Sequence, residues 1–162
     1  MLRRPHLRTQ SGFLLLEVLI ALLIFALGVL GLVGLQANAI KQSSQAKYRA
    51  DATLLANELI GQMWVSNRTF AALSAAYSSG GSGGPQYNAW KTRVAATLPG
   101  ADTTPPTVVV AAIAPLPMLV AGVATASTAP PSSRVTITMF WKAPGEKAGD
   151  PPHNFVVVNE IK

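Results

Sequence analysis

A chain of 162 residues with 12% charged side chains and no cysteine has no disulfide framework and no thiolate metal site, which leaves an extracytoplasmic location open. Its net charge of +6 suggests nucleic acid, but Arg3, Arg4 and Arg8 lie in the first twelve residues, and without them 10 basic residues face 7 acidic ones, a net +3. No element carries a basic stripe, zinc-ligand spacing or an aromatic ladder, so nucleic-acid binding is not expected and no cofactor or metal is called for.

Residues 1–12 form a polar, basic leader, and the 23 residues 13–35 contain a single charge, Glu17. As a helix at ~1.5 Å per residue that run is about 35 Å long, enough to cross a hydrocarbon core of roughly 30 Å. A secretory signal fits poorly, because its apolar core is about 7–15 residues and a small-residue cleavage site follows it; here the run ends in Gly34-Leu35-Gln36. Hydropathy alone leaves a plain signal anchor open, and orientation is undecided by charge, since Lys41, Lys47 and Arg49 balance the leader's arginines. A carboxylate in such a segment costs on the order of 2–3 kcal/mol at mid-bilayer, so it calls for a cationic partner. Gly28, Gly31 and Gly34 recur every third residue; glycine is common in membrane helices, but small residues also allow close helix packing.

Residues 36–67 hold one glycine and no proline, and Tyr48, Ala52, Leu55, Leu59 and Met63 follow helical spacing, which predicts an amphipathic helix continuing the apolar one. Its charged residues are read as a solvated side. Residues 68–162 make one small C-terminal unit. Ser78 to Pro85 is a flexible loop by composition, without the Gly-Lys-Ser/Thr of a phosphate loop. Trp90, Val94 and Leu98 predict a short second helix over 86–98, stopped at Pro99-Gly100, with Trp90 in the core. Strands are predicted at 107–114, 118–125, 134–142 and 154–161, joined by exposed Pro- and Gly-rich turns at 129–133 and 143–152. The fold class is α+β, a long N-terminal helix on an antiparallel sheet of about four strands.

The order Gly12, Phe13, three apolar residues, Glu17 and a long apolar helix resembles the class III signal of type IV pilins and their pseudopilin relatives. The resemblance implies a pilin fold, cleavage by a prepilin peptidase between Gly12 and Phe13, N-methylation of Phe13, and pairing of Glu17 with the new amine on a neighbouring subunit. Gly28-Val29-Leu30-Gly31-Leu32, the Ala56-Asn57-Glu58-Leu59 stretch, Ala89-Trp90-Lys91 and Val135 to Trp141 are most similar to PilV-type minor pilins, known as type IV pilus modification proteins. What this implies is a low-abundance structural and assembly subunit. It is held in the bacterial inner membrane with its headgroup in the periplasm, then moves into an extracellular filament. The implied partners are the peptidase, other minor and major pilins and the pilus assembly platform. Twitching and adhesion are the associated activities. The absence of cysteine disfavours a major pilin, which often closes a C-terminal loop by a disulfide.

A minor pseudopilin of a type II secretion system is the alternative; glycine spacing and overall length favour the pilus. An enzyme requires a catalytic constellation, and the residues suggest none. His6 lies in the leader, His153 reads as a lone, solvated loop histidine between Pro152 and Asn154, and Asp102, Glu146 and Asp150 fall in Pro/Gly-rich loops without a paired partner.

Overall fold

The computed structural model describes residues 11–120, 123–125, 127, 131–147 and 149–162; the leader, apart from Ser11 and Gly12, lies outside them. The first element, α1, runs Ser11–Val65 and contains 55 residues. The chain divides into two compact units, Met1–Ser43 and Ser44–Lys162.

In the first unit α1 is built mostly from Leu, Ile, Val, Ala, Phe and Gly without proline, and a helix satisfies its backbone groups within the segment itself. Its apolar side chains are exposed all round, from Phe13 at 71% to Leu35 at 70%. Among the described residues, α1 is the helix long and apolar enough to cross a membrane.

In the second unit the remainder of α1 buries one stripe. Ala52, Leu55, Ala56, Leu59 and Met63 are in the core and Tyr48 packs partly buried against it, as the spacing predicts. Two shorter helices follow, α2 (Phe70–Tyr77) and α3 (Pro85–Thr97). The first of these is absent from the expected elements. Its eight residues include four alanines, too short and too uniformly small to show a helical period. The second matches expectation: Pro85 opens it, where its missing N–H costs nothing. Trp90 is fully buried and donates Nε1–H to the Leu55 carbonyl at 2.9 Å, which ties α3 to α1.

Among the described residues five strands follow: β1 (Thr107–Ile113), β2 (Met118–Val120), β3 (Val123–Thr125), β4 (Ser132–Trp141) and β5 (His153–Ile161). The main sheet has three strands, not about four, in the order β1-β4-β5, all antiparallel. The expected strand at 118–125 is instead a separate hairpin, β2 with β3, in which Val120 faces Val123. Residues 121–122, between the two strands, lie outside the described set. The turn expected at 129–133 is shorter on its C-terminal side, because Ser132 and Ser133 already pair with Ile113 and Ala112; residues 129–130 lie outside the described set. β4 is the central strand, and its residues from Ser133 to Trp141 alternate, with Val135, Ile137 and Met139 turned into the core.

The Gly/Ser loop, expected to be flexible, is anchored near its ends while Gly80 to Ser82 are exposed. Ser79 donates its N–H to the Val108 carbonyl at 2.9 Å, and its hydroxyl accepts from the Val108 N–H at 3.0 Å, covering part of the outer edge of β1. The buried Tyr87 hydroxyl donates to the Pro106 carbonyl at 2.7 Å, and burial pushes its titration up.

Candidate functional site

The residues singled out at the N-terminal end lie on α1. Gly12 and Phe13 fall within its first turn, and Glu17 follows one turn later. Glu17 is exposed among exposed apolar neighbours, with no cation bonded to it among the described residues. Residues 17, 21, 24, 28, 31 and 35 follow alternating four- and three-residue steps and so form one stripe. Glu17, Ala21, Gly28 and Gly31 share that stripe. Each three-residue step turns the helix about 60° short of a full circle, so Gly34 lies about 120° around from Gly28. A Cβ added at any of the three glycines meets nothing within 4 Å; their small size serves no packing among the described residues.

The second unit holds a polar cluster that sequence reasoning did not assemble. His153 is the first residue of β5, and its Nε2 lies 2.7 Å from Glu146 Oε1. Gln45 of α1 places its Nε2 2.8 Å from that same oxygen and 2.8 Å from His153 Nε2. Glu146 Oε2 accepts from the Ala143 N–H at 3.1 Å, and the imidazole stacks on the Trp141 ring at 5.8 Å between centroids. The reading of His153 and Glu146 as solitary loop residues is therefore corrected: a Pro-Gly turn at 144–145, with Gly145 at φ +88°, folds the acid back toward β5. Its carboxyl is held below the usual carboxylate range, first by the hydrogen bond from His153 and further by that residue's charge, against an opposing effect of burial. The one available signal was a histidine and an acid seven residues apart around Pro and Gly, and such a spacing names no chemistry by itself.

Where the first turn of α2 meets the ends of β1 and β5, an open cleft of about 850 Å³ is lined by Arg68, Phe70, Ile113, Leu116, Glu160 and Lys162, among others. Glu160 accepts from the Ser132 hydroxyl at 2.6 Å. No group of three or more His, Cys, Asp or Glu side chains able to hold a metal ion occurs among the described residues. No family model matches this chain, and no match to it was found among curated proteins or among solved structures.

Proposed function

We propose that this chain is a minor type IV pilin, a structural and assembly subunit rather than an enzyme. In this reading a prepilin peptidase cuts between Gly12 and Phe13 and methylates Phe13. The headgroup faces the periplasm while α1 crosses the inner membrane, and the subunit then enters or primes a filament with other pilins at the assembly platform. The observation that carries the reading is the position of Glu17: the only charge in the apolar residues 13–35, four residues after the proposed cut and without a cation bonded to it among the described residues. Cleavage creates the missing cation. A buried carboxylate left alone costs several kcal/mol, whereas one met by an amine on a neighbouring helix sets the register of the two. The exposed stripe of Ala21, Gly28 and Gly31 beside Glu17 supports the reading, because it lets a second helix approach on the same side.

Mass spectrometry of the protein recovered from cells with an active prepilin peptidase tests this directly. The expected mature chain begins at N-methylated Phe13. A mature N-terminus elsewhere, or an unprocessed chain, would overturn the assignment.

A further inference from the structure

Arg68 is a cation without a counter-ion. It is exposed in the link between α1 and α2, and none of the chain's seven acids, all of them among the described residues, pairs with it. Glu160 lines the same cleft as Arg68, but its carboxylate is already engaged, by the Ser132 hydroxyl at 2.6 Å and by Lys162 Nζ at 3.6 Å. The body of the cleft is apolar. Phe70 opens α2 and Ile113 closes β1, both half-buried, and Leu116 beyond them is 87% exposed. The local sequence accounts for that exposure. Pro115 and Pro117 restrict their own φ and bias the residues before them, Ala114 and Leu116, toward extended backbone. The segment leaving β1 therefore does not coil back, and residues 114–117 make no backbone hydrogen bond among the described residues. An apolar surface is thus held open beside a free guanidinium, in a space of about 850 Å³, within the roughly 300–1,000 Å³ of ligand-binding clefts.

We propose that this cleft docks an extended peptide segment of another protein, with an apolar side chain against Phe70, Ile113 and Leu116 and a neighbouring carboxylate on Arg68. The charge sets the chemistry of the occupant. A planar guanidinium takes a carboxylate through two parallel hydrogen bonds, and covering the apolar lining excludes water that would otherwise weaken the pair. The backbone favours a peptide over a small amphiphile of the same charge. Leu116 has an N–H and a C=O without a backbone partner among the described residues, and an extended chain laid beside it matches both, whereas a hydrocarbon tail matches neither. Every residue used belongs to the second unit, so the docking does not depend on how the N-terminal end of α1 is processed.

The test titrates the full chain, held in nanodiscs of zwitterionic phosphatidylcholine, into a library of fluorescein-labelled, end-blocked octapeptides. These alternate leucine or valine with serine and carry one glutamate at a varied position; binding is read by anisotropy against empty nanodiscs. The tightest member is expected to bind about three- to tenfold better than the same peptide with glutamine in place of glutamate. Arg68→Gln should abolish that preference, and Arg68→Glu should reverse it toward the lysine version of the peptide. Leu116→Ser should weaken the glutamate and glutamine peptides alike. Sodium octanoate, a carboxylate on a plain hydrocarbon body, should leave the peptide bound at equal concentration. Three results would overturn the docking: no binding by any member up to about 0.1 mM of the chain, a glutamate preference that survives Arg68→Gln, or displacement by octanoate.

Discussion

Gly84 shows how a single residue can be fixed by its surroundings rather than by its backbone angles. Its φ is an ordinary −67°, yet a Cβ there would collide with the Ala76 carbonyl, which is backbone rather than a movable side chain. Gly84→Ala should therefore destabilise the second unit by about 1–3 kcal/mol, the usual range for overpacking, read as a lower urea midpoint. Gly61 is the opposite case. It lies inside α1 with open space where a Cβ would point, so Gly61→Ala should stabilise by about 0.5–1 kcal/mol in the same measurement. The carboxylates give a pH signature. Glu146 and Glu160 both titrate below the usual range, Glu146 first because of its hydrogen bond from His153 and Glu160 first because of the Ser132 hydroxyl. A folded-state value below the unfolded one stabilises fully above the ordinary carboxylate value, and that stabilisation is lost as pH falls through the lowered value. Ser132→Ala should move the Glu160 titration upward, toward the ordinary value, as followed by carboxyl carbon chemical shifts; an unmoved titration would rule out the hydroxyl as its main cause.

At the level of elements, two polar contacts among the described residues, one buried and one exposed, join α3 to α1, and they differ in worth. Trp90 is fully buried and hydrogen-bonded to the Leu55 carbonyl, whereas the Arg93–Glu58 ion pair at 2.8 Å leaves its side chains 47% and 40% exposed. Trp90→Ala should cost about 3–5 kcal/mol, while Arg93→Ala should cost at most about 1 kcal/mol; chemical denaturation of both variants separates the two. Legibility in the sequence follows the same physics. The buried stripe of α1, the helix α3 and the strand β4 carry strong periodicity because each buries one face. α2 was not legible because Phe70-Ala-Ala-Leu-Ser-Ala-Ala-Tyr is nearly featureless in period. The β2–β3 hairpin read as one strand because its apolar residues run on through Ala121, and alternation alone does not mark where a strand turns back.

For the whole molecule, the proposed function turns on one helix serving two environments. The residues up to Ser43 form a unit of their own, and α1 alone among the described helices is long and apolar enough to span a bilayer. Glu17→Val should leave the protein in the membrane fraction, because it makes the apolar run more apolar, while reducing its recovery in sheared filaments. Normal recovery would show that Glu17 does not set register. The sequence by itself determined the apolar run, its lone carboxylate, the Gly12-Phe13 junction and the helical stripe that becomes the core, because each depends on residues close together in the chain. Only the tertiary structure decided that the main sheet has three strands with β4 at its centre, and that Gln45, Glu146 and His153 meet. Those depend on contacts between residues up to 108 positions apart, which form when the core closes and which no local pattern encodes.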